Sequence, residues 1–218
     1  MTGESFFDSP LLMALLPAAF LIGSVPFGVI FTRHHGINIR STGSRNIGAT
    51  NVLRSAGKKA AVLTLLCDAL KGALPVVLCI YVIAGSRLAG HSLLYSDFWL
   101  GLAGLSAVLG HMLSVFLSFR GGKGVATGFG FLLVYSPAVA GIMLIIWLAA
   151  AFFFRYSALA ALIAVAALPF LLIISGASSI KLIVGIVLAA LIIYRHKSNI
   201  RNLIAGTETR IGDRSDKA

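Results

Sequence analysis

Acids and sulfurs are scarce in this chain. Seven Asp and Glu stand against eighteen Lys and Arg among 218 residues, and charged residues of both signs make up only 11%. The two cysteines, Cys67 and Cys79, lie on one expected helix about 18 Å apart at the usual rise, which excludes a disulfide between them and leaves two expected buried thiols. His34, His35 and His91 have no Cys or carboxylate at metal-ligand spacing, so no metal and no cofactor is expected. Gly122-Lys123 is followed by Gly124 rather than Ser or Thr, so it is not a Walker A loop and ATP binding is not supported. A long linker, a low-complexity segment and an internal repeat are also lacking, which points to one domain over residues 1–218.

What is abundant is apolar surface. Hydrophobic residues make up 58% of the chain, more than a soluble core can hide, and the expected fold class is an all-α polytopic membrane protein. The net charge of +11 suggests nucleic acid only in a soluble protein; here most cations flank apolar spans, where they set topology and meet anionic lipid or substrate. Apolar runs cover residues 10–32, 60–84, 98–118, 125–154, 157–174 and 180–194. The first lacks the basic start and small-residue cleavage site of a signal peptide and reads as a retained span. The fourth makes a helix of roughly 45 Å against a hydrocarbon core of about 30 Å. Ser136-Pro137 interrupts it, so two crossings, one of them short, fit better.

Seven transmembrane helices then place the 33–59 loop, the 119–124 loop, Arg155 and the 195–218 tail on one side. All but Lys71, Arg87 and Lys181 of the eighteen cations lie there. The positive-inside rule puts that side in the cytoplasm, with the N-terminus outside and the C-terminus cytoplasmic.

Three polar clusters share that face. The first runs from Arg40 to Arg54, where Gly43 and Gly48 let the backbone turn, Arg40, Arg45 and Arg54 supply charge, and no acid intervenes between Arg33 and Lys59. It is suited to phosphate at a membrane surface. The second, Arg120-Gly121-Gly122-Lys123-Gly124, opens a helix whose free N–H groups and dipole favour an anion. The third follows the last span: if the helix continues, His196 and Asn199 project from one face and can hydrogen-bond a polyol. Alone, each cluster reads equally as a basic turn or helix end that fixes topology. Asp68 and Lys71 inside the second span read as a neutralising ion pair, and His111 either as an interhelical hydrogen bond or as part of the site. Gly23, Ser24 and Gly28 read as close helix packing.

Taken in order, Gly43-Ser44-Arg45-Asn46-Ile47-Gly48-Ala49-Thr50-Asn51, then Gly110-His111 leading into Gly121-Gly122-Lys123-Gly124-Val125-Ala126-Thr127, then Arg195-His196 with Asn199-Ile200, the chain resembles the bacterial integral-membrane acyl-phosphate:glycerol-3-phosphate acyltransferases. The resemblance spans nearly the whole chain. It implies a seven-helix enzyme of the cytoplasmic (inner) membrane that moves a fatty acyl group from acyl phosphate to the sn-1 hydroxyl of glycerol 3-phosphate, giving lysophosphatidic acid and inorganic phosphate. Partners would be those two substrates, membrane lipid and the soluble enzyme that makes acyl phosphate, with no nucleic acid. By motif position, Ser44, Arg54 and Lys123 look like phosphate-pocket residues, completed by Gly43, Asn46, Gly48, Thr50, Asn51 and Gly122. His196 and Asn199 look like the groups that position glycerol 3-phosphate. An acyl phosphate is already activated, so orientation and charge stabilisation suffice; the proton acceptor is either His196 or a donor phosphate oxygen.

Four positions depart from the family pattern. Arg45 replaces a glycine, so the local turn is expected to differ; Asn38 replaces an acid and puts a salt bridge in doubt. Ser114 replaces a proline, expected to straighten that helix, and Arg120 replaces a lysine. Acyltransferases with a His-x4-Asp dyad, which take acyl-CoA or acyl-carrier protein, are excluded: Ile39, Arg40, Ser96, Phe116 and Arg201 stand five beyond the histidines. An organic-phosphate transporter predicts repeated halves and a midplane site. A noncatalytic scaffold needs no phosphate clusters.

Overall fold

The computed structural model describes residues 9–85 and 92–213, and every regular element among them is helical. Helix α1 (Pro10–Ser24) starts where the Ser9 hydroxyl accepts the Leu12 N–H and Pro10 needs no acceptor. Pro26 cannot donate into that helix, so the first apolar run breaks there and resumes as α2 (Phe27–Arg33). Next come α3 (Ala49–Ala56), closed by Gly57 at φ 86°, and α4 (Lys58–Gly85). Helix α5 (Leu93–Met112) is capped by the Ser92 hydroxyl.

Two further breaks give the rest its shape. Helix α6 (Val125–Tyr135) opens at Gly124, φ 83°, and ends at Ser136, held extended by Pro137; α7 (Pro137–Phe154) follows at once. The long fourth run is thus two helices, as expected. Then come α8 (Ser157–Ile174), α9 (Ser179–Arg195) and α10 (Lys197–Ile204), the last two meeting at a 59° bend centred on His196. By length and composition, five described helical segments suit a membrane crossing, or six if the bent α9–α10 pair is counted; α6, with 11 residues, is shorter. The protein is a multi-pass membrane protein. Ile145, Phe152, Phe153 and Ile174 face outward, as lipid-facing residues do.

Four expectations are corrected. The third run does not continue as helix to residue 118: α5 stops at Met112, and the chain turns through a 3-10 turn (Val115–Leu117) and left-handed Ser118 and Phe119. Ser114 therefore does not straighten a helix; its hydroxyl donates to the Ser24 carbonyl and ties the turn to α1. Nor does α9 run on through His196. Cys67 and Cys79 are both free thiols on α4, but only Cys79 is buried; Cys67 is half-buried. Met1, Arg87 and His91 lie outside the described residues.

Glycines set how closely the helices approach. A Cβ at Gly72 would overlap the Thr127 carbonyl and one at Gly130 the Ala69 carbonyl, so α4 and α6 pack backbone to backbone. Gly23 stands likewise against Ala107, and Gly28 against the Ile47 carbonyl, seating the 34–48 loop on α2. The ends of α5 mark the two sides of the bundle. At one end, Asp97 accepts from Ser178 at 2.6 Å, pairs with Lys181 at 3.4 Å and takes the Tyr135 hydroxyl on its carbonyl at 2.9 Å. At the other, His111 and Met112 meet the 119–124 loop. Helix α6 starts beside the second end and finishes beside the first.

Candidate functional site

The 34–48 loop is held from within by Asn51, 1% exposed on α3. Its Oδ1 accepts the Ser44 N–H at 3.0 Å, while its Nδ2 donates to the carbonyls of Thr42 at 3.0 Å and Asn46 at 2.9 Å. The Arg45 N–H closes a turn onto the Thr42 carbonyl at 3.1 Å. Gly43 and Arg45 are both left-handed, each at φ 57°. The turn therefore keeps a shape that suits glycine, and Arg45 carries the strain, about 1–2 kcal/mol for an L-residue. Asn38 accepts the Arg40 N–H on its side chain at 3.2 Å and the Ser41 and Thr42 hydroxyls on its backbone carbonyl. The side chains of Arg40, Ser44 and Arg45 stay exposed, and Thr50 meets Ser157 at the start of α8 at 3.1 Å.

The glycine loop is anchored on both sides. Gly121 and Gly122 donate their amides to the carbonyls of Met112 at 3.1 Å and His111 at 3.0 Å, and Arg195 donates to the carbonyls of the same two glycines at 2.8 and 3.1 Å. The amides of Gly121 and Gly122, like those of Ser44 and Arg45 in the first loop, are thus bonded within the protein. The amides without an intrahelical acceptor are those opening α6, from Val125 to Thr127.

Four of the expected residues converge. The Lys123 ammonium donates to Asn199 Oδ1, and Asn199 Nδ2 donates to Glu208 Oε1 at 2.7 Å. Arg54 donates to the carbonyls of Thr209 and Arg210, each at 3.0 Å. His196, 2% exposed, stands at the α9–α10 bend, its Nδ1 2.8 Å from the Ile192 carbonyl. A carbonyl only accepts, so Nδ1 carries the proton and Nε2 the lone pair. Burial pushes the His196 pKa down to about 4, with the Lys123 charge adding to the effect. Burial likewise lowers the pKa of Lys123 and of Arg54, and Glu208 opposes both shifts. Among the described residues, no hydrogen bond joins the Ser44 hydroxyl to this group.

Sequence reasoning missed Glu208 and the strap around it. The tail lies across the site: Ile211 exchanges backbone and side-chain hydrogen bonds with Arg155, and Arg210 reaches the Tyr156 hydroxyl at 3.0 Å. A signal was present, because no acid stands between Asp97 and Glu208, and this one falls in a basic segment. The arrangement gathers cations, amide donors and a neutral imidazole, with the Glu208 carboxylate in their midst. It is suited to an anionic substrate with a hydroxyl nearby.

Residues 13–206 match the family model described as glycerol-3-phosphate acyltransferase. The chain is 47% identical over 204 residues to a glycerol-3-phosphate acyltransferase of Methylorubrum extorquens (strain PA1), covering 93% of this chain and 94% of that one. It is 45% identical over 197 residues to one from Neisseria gonorrhoeae (strain FA 1090), covering 90% and 95%. Its fold matches the crystal structure of PlsY, an integral membrane glycerol 3-phosphate acyltransferase, in the glycerol 3-phosphate form: TM-score 0.82, 40% identity, 92% of this chain and 96% of that one. The lysophosphatidic acid form of that protein gives 0.80 at 39% identity, covering 92% and 95%.

Proposed function

The chain belongs to the glycerol-3-phosphate acyltransferase family, and from that premise we propose that it transfers a fatty acyl group from acyl phosphate to the sn-1 hydroxyl of glycerol 3-phosphate. The products are lysophosphatidic acid and inorganic phosphate, and the step is the first acylation of bacterial phospholipid synthesis. The observation that carries the reading is the Lys123–Asn199–Glu208 chain beside Arg54 and His196. Glu208 marks where an anion is stabilised, and the cations around it remain in excess.

In this reading Lys123 and Arg54, with Ser44 and the amides opening α6, hold phosphate and offset the charge that grows on the leaving group. Gly43, Gly48, Asn46, Thr50 and Asn51 shape the wall that presents Ser44, and Gly122 sets the height of Lys123. Asn199 and His196 orient the glycerol hydroxyl. The hydroxyl oxygen attacks the acyl carbon, the bond from that carbon to the phosphate oxygen breaks, and phosphate leaves with the electron pair. His196 Nε2, which carries the lone pair, takes the hydroxyl proton in this reading; a donor phosphate oxygen is the alternative acceptor. His196→Ala with near-full turnover at saturating substrate would exclude the imidazole.

Counting α6 as the short seventh crossing puts all three clusters on one face, which the positive-inside rule makes cytoplasmic, with the N-terminus outside. That face suits a bacterial inner-membrane enzyme supplied by a soluble producer of acyl phosphate. The test compares donors on purified protein in lipid: inorganic phosphate should be released from acyl phosphate only when glycerol 3-phosphate is present, and acyl-CoA should not substitute. Glycerol 3-phosphate uptake by reconstituted vesicles without phosphate release would favour a transporter instead.

A further inference from the structure

Asp68 and Lys71 are buried in α4, 2% and 4% exposed, and pair at 2.7 Å. Lys71 also donates to the Val25 carbonyl at 2.8 Å, at the break between α1 and α2. This pair is neutral by itself, so charge balance does not account for the third polar group beside it. That group is His111 of α5, 4% exposed, whose Nδ1 stands 3.7 Å from Asp68 Oδ1. The separation orients the ring electrostatically but is too long for a hydrogen bond, and Nδ1 is buried with no hydrogen-bond partner. Leaving an imidazole in that state costs stability.

The other edge of the ring supplies the reason. A Cβ at Gly122 would overlap His111 Nε2, so the ring lies directly against the glycine loop, and the His111 carbonyl takes the Gly122 N–H at 3.0 Å. Arg195 holds the same segment from the opposite side through the Gly121 and Gly122 carbonyls. The next residue is Lys123, whose ammonium reaches Asn199. A fixed ion pair, a ring, a glycine and an ammonium thus stand in mechanical series.

We propose that His111, oriented by the Asp68–Lys71 pair, is a positioning residue for Lys123: it touches no substrate and sets the height of the glycine loop from which the ammonium projects. This rests on Lys123 being a phosphate ligand. The test is a double-substitution cycle on the full chain in phospholipid bicelles, reading glycerol 3-phosphate binding and steady-state turnover in parallel. Gly122→Ala pushes a methyl into the ring and should weaken glycerol 3-phosphate binding by about a hundredfold; adding His111→Ala opens that space and should recover about tenfold where additivity demands a further loss of about tenfold, a coupling of about a hundredfold, within the range for residues in contact. His111→Ala alone should raise the KM for glycerol 3-phosphate about tenfold with kcat changed less than about threefold, whereas a purely structural loss lowers apparent kcat at unchanged KM. His111→Gln, of similar reach, should restore most of the KM.

Strictly additive effects at positions 111 and 122, or an unchanged KM in a folded His111→Ala protein, would overturn the proposal. So would failure of both His111 variants to fold, which would make the ring structural. Because binding is read without an acyl donor, coupling in binding but no turnover by the unsubstituted protein would count against the acyl-phosphate reaction and still support the positioning role.

Discussion

Asn51→Ala removes the internal pin of the Arg40 to Arg54 loop. The side chain is almost fully buried and makes three good hydrogen bonds, one accepted from the Ser44 N–H and two donated to the Thr42 and Asn46 carbonyls. At about 1 kcal/mol net for each neutral bond, the loop loses roughly 3 kcal/mol of local stability. Every 1.4 kcal/mol is tenfold, so local opening becomes on the order of a hundredfold more frequent. Hydration of the freed carbonyls reduces that figure, while the stranded Ser44 amide works against the reduction. The assay is hydrogen exchange of the 41–48 segment in lipid nanodiscs, with the melting temperature of the bundle as control. The α4–α6 contact does not involve Asn51, so that temperature should move little. Asn51→Asp keeps the acceptor for Ser44 but turns a carboxylate toward two carbonyls, and should be at least as damaging. Unchanged exchange across 41–48 in a folded Asn51→Ala protein would refute the assignment.

Glu208→Gln retains an acceptor for Asn199 but removes the carboxylate that acts on both Lys123 and Arg54, so glycerol 3-phosphate should bind about threefold to tenfold tighter by calorimetry while the ligand-free protein melts lower. The His196 pKa lies at about 4 in the folded state against the usual 6.5, so the unfolded chain binds more protons between those values and stability falls as pH drops through that window. Melting temperature measured from pH 7 to 4 should decline more for the unsubstituted protein than for His196→Ala; parallel curves would contradict the burial argument. Gly130→Leu forces a side chain into the α4 backbone and should cost more than about 3 kcal/mol, seen as lost folded protein after size-exclusion chromatography. Gly141→Ala, with open space around its Cβ position, should be silent in the same assay.

Much of the architecture was legible in the sequence because hydropathy and proline act locally. The break at Ser136-Pro137 divides α6 from α7 where helix length demanded it, and α8 occupies residues 157–174 as read. The break at Pro26 was hidden because both flanks are equally apolar, so no change in hydropathy marks it. The turn after Met112 depends on Ser24 and the glycine loop, partners that one local window does not contain.

The site divides in the same way. Residue types and motif order pointed to Lys123, Arg54, His196 and Asn199, and the structure gathers them. Which polar groups are spent on the protein itself was not readable. Asn51 looks like a ligand in sequence and proves to be a pin; the amides of Gly121 and Gly122 look free and prove to be bonded to α5. Glu208 escaped because its importance arises only when the tail folds back across the site.

If Lys123 and its neighbours form one phosphate-handling acyl-transfer centre, inorganic phosphate release from acyl phosphate and glycerol 3-phosphate must depend on Lys123, which is measured with Lys123→Ala beside the unsubstituted protein. One phosphate should be released per lysophosphatidic acid formed, and Lys123→Ala should lose about a hundredfold or more in kcat/KM at an unchanged melting temperature. Turnover by the variant equal to that of the unsubstituted protein would contradict it.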